Sequence, residues 1–391
     1  MTYEAILAAA GVLLLAFGIE RLASVTRIPS VVFLIACGLI AKPLLGSANV
    51  YLSGLDAIVP VLGTIGLILI VLEGAFDLEL RKNRLIPAAG SFLIALVGLV
   101  VCAAAFAWLG HMVLGLSEMH ALILAVPLSV ISSAIAISSS GFLPQKAKEF
   151  VIYETSVSDI LGILIYFSLV NSDGTLHGAF LELMGGGAIS LLLSALCSVG
   201  LVLLLMRMEG HIRFIPLLAG LFALYALGKL MHLSPLIMVL FFGLVLNNPH
   251  LLTRFNLFSH LADDRYDATL NEFKTLTMEL TFAVRGFFFM LLGYWTDLSG
   301  LTMPSAWLTA AVVLIVIFGT RYLLLRLLRV SLGDTLTWIA PRGLITVLLY
   351  LSAKEVVQVP PFVDGAVILV ILVSSSLIAV GRRRWEKSQR P

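Results

Sequence analysis

Between residues 129 and 159 the chain places hydroxyls and two carboxylates in surroundings that are otherwise apolar. A run of serines, Ser129-Val-Ile-Ser-Ser-Ala-Ile-Ala-Ile-Ser-Ser-Ser140, is followed by Glu154-Thr155-Ser156-Val157-Ser158-Asp159. After Asp159 comes Ile160-Leu-Gly-Ile-Leu-Ile-Tyr166, so this carboxylate enters a stretch with nothing else to solvate it. Taking a carboxylate out of water disfavours its charged form, and a bound cation favours it again. A proton and a cation therefore compete for Asp159, and that competition is exchange in its simplest form. Unwound backbone around Ser132 and Ser133 would add carbonyl oxygens, the ligand type a hard monovalent cation needs, and at bilayer depth such backbone must be satisfied within the protein or by water in a cavity. Glu154 lies five residues before Asp159, about 140° around a helix. The two acids thus face different neighbours, and Glu154 calls for a cationic partner such as Arg321 or Arg342.

The elements that hold these groups are membrane helices. Of the 391 residues 60% are hydrophobic and only 12% charged, with a mean hydropathy of +1.06. Soluble domains carry roughly 25% charged residues. Continuous apolar runs of roughly 18 to 25 residues fit helices crossing about 30 Å of hydrocarbon and not the alternation of a barrel strand. Thirteen spans are expected, near 3–22, 29–46, 57–76, 87–110, 118–140, 147–171, 179–206, 212–229, 234–247, 271–296, 305–329, 334–353 and 361–381. The first has no basic segment before it and reads as a retained helix, not a signal peptide.

Charge sets the orientation. Connections after odd-numbered spans, together with the tail, hold 19 of the 25 Lys and Arg residues, while the even side holds only Lys42, Lys229 and Lys354. Basic residues stay cytoplasmic, which predicts an outward N-terminus and an inward C-terminus. Arg285, Arg321 and Arg342 fall within spans, where an unpaired charge costs several kcal/mol.

An internal repeat accompanies this pattern. Pro29, Gly38 and Pro43 of the second span correspond to Pro235, Gly243 and Pro249 of the ninth. Gly74-Ala-Phe-Asp77-Leu78 closes the third span much as Gly293-Tyr-Trp-Thr-Asp297-Leu298 closes the tenth. The fifth and twelfth spans are interrupted, at Ser132-Ser133 and at Pro341-Arg342-Gly343. Each pair is seven spans apart, an odd number, so the two copies are inverted. Inverted repeats with paired interrupted helices mark secondary transporters, with the site at the interruptions. Glu73, near the end of the third span, is an interfacial carboxylate or a contributor to the site. Cys37, Cys102 and Cys197 sit in apolar runs and suit packing. The residues show no phosphate loop, zinc-ligand cluster or nucleophilic triad.

On these motifs the chain resembles the monovalent cation:proton antiporter superfamily, most closely its NhaP-like sodium/proton exchangers, along nearly its whole length. Members carry Glu-Ser-x-x-Asn-Asp where this chain has Glu154-Thr155-Ser156-Val157-Ser158-Asp159. Weaker matches are Phe287-Phe-Phe-Met-Leu-Leu-Gly293, Thr320-Arg321 and Pro341-Arg342-Gly343. The resemblance implies that Asp159 carries the ion and the proton, with Thr155, Ser158, Ser132, Ser133 and Glu73 completing the cation shell. It also implies a structural Glu154–Arg321 bridge, with Arg342 at the second crossover. Two departures bear on selectivity: Ser158 replaces the usual Asn, and Ser132-Ser133-Ala134 replaces Thr-Asp-Pro. Potassium-efflux relatives also use a Ser-rich crossover, which keeps K⁺ beside Na⁺ as the cation.

The fold implied is an all-α polytopic membrane protein with two crossed broken helices. Residues 1–84 and 209–298 form a scaffold and dimer bundle, 85–172 and 299–381 a core, 173–208 a linking helix and 382–391 a basic cytoplasmic tail. The function implied is exchange of Na⁺ for H⁺ in the cell (inner) membrane, electroneutral because one buried acid is present and not two. The chain is expected to act as a homodimer in the bilayer, with the transported cation and proton as its only small partners. Neither a cofactor, nor enzymatic activity, nor nucleic-acid binding is expected. The alternatives are a K⁺/H⁺ antiporter and a cation-binding membrane sensor or channel that exchanges nothing.

Overall fold

In hydrocarbon every backbone N–H and C=O has to be bonded within the protein, and a helix does this within one segment. The computed structural model accordingly describes residues 2–26, 28–47, 55–76, 85–207, 214–231, 235–248, 264–296 and 298–388 as helices and short connections, with no strand among them. Of the features read from sequence, Asp77, Pro249 and Asp297 lie outside the described residues. So do the basic residues Arg27, Arg81, Lys82, Arg84, Arg213, Arg254 and Arg390.

The helices are α1 (Thr2–Thr26), α2 (Ser30–Ser47), α3 (Leu55–Phe76), α4 (Leu85–Leu114), α5 (Glu118–Ser129), α6 (Ser133–Ser139) and α7 (Gln145–Asn171). They continue as α8 (Leu176–Arg207), α9 (Phe214–Leu230), α10 (Pro235–Asn247), α11 (Asp264–Trp295), α12 (Leu298–Thr302) and α13 (Pro304–Leu327). The last are α14 (Gly333–Leu336), α15 (Leu344–Val356), α16 (Pro361–Ser376) and α17 (Ile378–Ser388). Among the described residues eight stretches are long and apolar enough to cross a membrane, and shorter apolar helices lie at Gly63–Phe76, Phe214–Leu230 and Met238–Asn247. This is a multi-pass, all-α membrane protein.

Two of the expected spans fall on pairs of helix halves, and the pairs are informative. Span 118–140 is α5 and α6 with extended residues between them. Span 334–353 is α14 and α15, but its break is longer than the Pro341-Arg342-Gly343 triplet. The helix already ends at Leu336, and residues 337–343 are non-helical. Burial separates inner from outer helices. In Glu118–Ser139 72% of the apolar window is buried, against 17% in Leu7–Thr26, so the broken helix is interior and α1 is largely exposed.

The chain groups into two compact units. One comprises Met1–Gly66, Ser91–Asp159 and Phe282–Pro391; the other comprises Leu67–Gly90 and Ile160–Thr281. In the second unit Phe273 is fully buried against Phe76 and Phe214, with ring centroids 6.0 and 5.7 Å away. Asn247 Nδ2 donates to Phe76 O at 2.8 Å, and Ser194 Oγ to Met238 O at 2.7 Å. These bonds tie α3 and α8 to α10.

The repeated glycines have a packing reason. A Cβ on Gly38 of α2 would run into Met290 O and lie 2.7 Å from Tyr294 N of α11. Its counterpart Gly243 of α10 meets α3 in the same way, with Ala75 Cβ at 2.6 Å and Leu72 Cδ1 at 2.9 Å from a built Cβ. In each repeat copy a glycine lets one helix approach the backbone of another. Small residues serve this purpose in lipid, where apolar burial does not drive helices together.

Candidate functional site

The first unit contains the two interrupted helices, and the interruptions touch. Ser132 N–H donates to Pro341 O at 2.9 Å, a backbone bond between the breaks. Gly343 has no side chain, and a Cβ there would lie 2.8 Å from both Ser132 Cβ and Ile135 Cδ1. On one side of this crossing α5 packs on α15. On the other, Ala136 of α6 shares a buried apolar cluster with Leu336 and Ile339, together with Ile94, Val151 and Leu325.

Breaking a helix at depth leaves its terminal N–H and C=O groups without intrahelical partners and its end charges exposed, about half a unit each. The sequence supplies a charged side chain at three of these ends. At the C-terminus of α5, Arg342 Nε donates to Leu128 O at 2.7 Å and Nη2 to Ser129 O at 3.3 Å, while Nη1 donates to Ala340 O at 3.1 Å. At the C-terminus of α14, Arg321 Nε donates to Leu336 O at 2.8 Å. At the N-terminus of α6, Ser133 N–H donates to Asp159 Oδ2 at 3.1 Å. Cations thus stand at two negative helix ends and a carboxylate at a positive one.

Arg321 has a second partner. Its Nη2 donates to Glu154 Oε2 at 2.8 Å and its Nη1 to Glu154 Oε1, a bidentate pair with Glu154 fully buried and Arg321 5% exposed. The fork geometry suits a guanidinium and a carboxylate, and each ion is compensated where water is excluded. A void of about 20 Å³ adjoins the pair, lined by Ser129, Ser158 and Arg342 among others.

Asp159 is 6% exposed. Oδ2 takes the Ser133 N–H, and Oδ1 has no hydrogen-bond partner among the described residues. The hydroxyls around it differ in their commitments. Thr155 Oγ1 donates back to Val151 O at 2.8 Å, which leaves its lone pairs available. Ser158 Oγ accepts the Ile131 N–H at 3.0 Å, binding α7 to the extended segment. The structure therefore bonds Asp159 and Ser158 to the first break, at Ser133 N and Ile131 N beside Ser132, with Thr155 one turn earlier on α7 and Glu154, Arg321 and Arg342 nearby. Glu73 belongs to the other unit, half-buried in the last turn of α3. The residue that sequence reasoning passed over is Ser156, buried with its Oγ unbonded among the described residues. Its variable place in the motif hid it, and only its spacing from Asp159 hinted at a role.

Two cavities adjoin the helix halves that follow the breaks. One of about 370 Å³ runs along α6 from Ala134 to Ser139 and is lined also by Glu20, Ser30, Arg285 and Arg382. The other, about 290 Å³, runs along α15 past Val347, Tyr350 and Lys354. There Asp364 Oδ1 accepts from Lys354 Nζ at 2.7 Å and from Tyr350 Oη at 2.8 Å.

Two solved structures of the sodium proton antiporter MjNhaP1 from Methanocaldococcus jannaschii share this architecture. The structure at pH 8 is 19% identical with a TM-score of 0.73, over 97% of this chain and 97% of that one. The structure from an electron-microscopy map is 20% identical with a TM-score of 0.73, over 100% of both chains. At such identities the likeness is one of fold. No curated protein matches the chain by sequence. The family model described as sodium/hydrogen exchanger, transmembrane, matches residues 11–381. With broken helices crossed around a buried acid and a family match over nearly its whole length, the chain belongs to the transmembrane sodium/hydrogen exchanger family.

Proposed function

We propose that the protein exchanges Na⁺ for H⁺, one for one, by letting the two ions compete for Asp159. The observation that carries this reading is the state of that carboxylate. It is buried, one oxygen is held at a helix N-terminus by the Ser133 N–H, and the other has no hydrogen-bond partner among the described residues. Such a group is stable only when neutralised, and either ion does so. Exchange follows if Asp159 reaches one membrane face or the other only while neutralised, because each outward passage then requires an inward one.

In this reading Thr155 and the crossover oxygens of Ser132 and Ser133 help to hold the cation. Ser158 completes the shell within this unit, and the Glu154–Arg321 pair and Arg342 keep the frame. The cavity along α6, which reaches Arg382 of the basic tail, is the cytoplasmic approach; the cavity along α15 is the approach from outside. With one exchanging acid, both loaded states carry the same charge, so the cycle is electroneutral. The chain works as a homodimer in the cell (inner) membrane, N-terminus out and C-terminus in. The bundles of 1–84 and 209–298 form the scaffold against which 85–172 and 299–381 move.

The test uses purified protein in liposomes with an imposed pH gradient and a dye reporting internal pH. Na⁺ should collapse the gradient, unaltered by clamping the voltage at zero, and Asp159→Asn should abolish the collapse while keeping the fold. Collapse by K⁺ alone would reassign the cation. Normal exchange by Asp159→Asn would remove the carboxylate from the mechanism.

A further inference from the structure

Hydroxyls in a membrane helix ordinarily return their proton to a carbonyl three or four residues earlier. In this protein Ser129 donates to Ala125 O, Ser138 to Ala134 O, Thr155 to Val151 O and Ser168 to Leu164 O. Ser156 does not. It is 3% exposed, and its Oγ has no hydrogen-bond partner among the described residues. A second orphan oxygen is near. Asp159 Oδ1 is also buried and unbonded among the described residues, and Asp159 follows Ser156 by three residues on α7. Residues three apart on a helix are surface neighbours, with Cβ atoms roughly 5–6 Å apart. Leaving a buried hydroxyl unbonded is costly, as is leaving a carboxylate oxygen so. Both costs are removed if one occupant bonds to the two oxygens.

We propose that Ser156 Oγ ligates the transported cation together with Asp159 Oδ1, and that in the proton-loaded state the Asp159 hydroxyl donates to the same Ser156 oxygen. Ser156 thereby becomes a selectivity-determining residue that the Glu-x-x-x-x-Asp spacing does not mark. The hydroxyl plays a different part for each ion. It is a bond to the metal in one state and an acceptor of a single hydrogen bond in the other, so removing it weakens cation binding more than proton binding. Thr155 and Ser158 differ from Ser156 in having partners of their own, Val151 O and the Ile131 N–H.

The assignment rests on Asp159 being the exchanging carboxylate, and the test separates the two. Ser156→Ala, Ser156→Thr, Ser158→Ala and Asp159→Asn are compared with the parent protein in two ways. One is the cation KM of exchange in liposomes; the other is thermal stability in detergent with and without Na⁺ or Li⁺. Without cation, Ser156→Ala loses only the one hydrogen bond from the protonated Asp159, so it should melt only slightly below the parent. Its cation KM should rise about five- to tenfold with the maximal rate retained, the loss expected for one neutral oxygen ligand. Stabilisation by added Na⁺ should shrink accordingly, and Ser156→Thr should restore both. Ser158→Ala, which strips the partner from Ile131 N–H, should instead melt lower. An unchanged cation KM in Ser156→Ala, with exchange abolished in Asp159→Asn, would remove Ser156 from the shell and leave Asp159 in place. Loss of fold in Ser156→Ala would make the hydroxyl structural and overturn its assignment as a ligand. Exchange surviving in Asp159→Asn would instead overturn the reading of Asp159.

Discussion

The Glu154–Arg321 pair allows a prediction in which two kinds of cost can be told apart. Glu154→Gln leaves the guanidinium buried without its counter-ion, though still bonded to Leu336 O. Removing one partner of a buried pair costs roughly 3–5 kcal/mol. Arg321→Ala strands a carboxylate that is fully buried and also uncaps Leu336 O, a further 1–3 kcal/mol or so. It should therefore be the worse of the two, at about 4–8 kcal/mol. The double variant Glu154→Leu/Arg321→Met fills the space without charge and retains only the cost of the open carbonyl, about 1–3 kcal/mol. Two changes should therefore do less harm than either alone. The assay is thermal melting of all four proteins in detergent, with exchange per folded molecule measured beside it. Specific exchange should change little in Glu154→Gln, because the pair holds the frame and does not carry the ion. A melting profile unchanged in Glu154→Gln, or a double variant as unstable as the two singles added, would refute this account of the pair.

Other consequences can be measured on the same preparations. If proton and cation compete for one carboxylate, the apparent cation KM should rise about tenfold for each unit the pH falls on the acid limb and level off at alkaline pH, one proton being displaced per cation; a KM independent of pH would rule out competition at a single group. Gly38→Ala and Gly243→Ala place a methyl against backbone or packed side chains and should each cost about 1–3 kcal/mol by overpacking. Gly319→Ala, with nothing within 4 Å of its added Cβ, should be neutral or stabilise by up to about 1 kcal/mol, so equal melting of the three would argue against the close crossings. Asp159→Asn should retain the parent's circular dichroism while losing exchange, and a misfolded variant would make that carboxylate a structural group.

What the sequence shows of this protein and what it conceals follow from how local each cause is. Spans are legible because hydrocarbon imposes length and apolarity on every segment separately. The break at residues 130–132, beside Ser132-Ser133, is legible because hydroxyls stand out in an apolar run. The break before Arg342 is only half so, since Thr337, Trp338, Ile339 and Ala340 look like any membrane helix and their non-helical state comes from the crossing. Arg321 and Arg342 are conspicuous as charges within spans. That Arg342 reaches back to Leu128 and Ser129 depends on α5 and α15 being packed together, which no local pattern records. Ser156 is the clearest case of concealment. Three hydroxyl residues occur within four positions, and what distinguishes this one is the bond it does not make. The glycine repeat lies between these extremes: position 38 and position 243 can be matched by eye, but the helices they admit, α11 and α3, cannot.

The bond from Ser132 N–H to Pro341 O joins two distant parts of the chain through main-chain atoms alone. No substitution other than proline at position 132 deletes the donor, and none at position 341 deletes the acceptor. The alignment of the crossing is therefore insulated from much of the variation that reshapes the surrounding side chains. Hydroxyls, amides and acids can be exchanged at positions such as 133, 134, 156 and 158 while the frame that presents them persists. Ion preference can then drift by single substitutions without the architecture having to be rebuilt, so diversity of cargo among proteins of this design needs no diversity of fold.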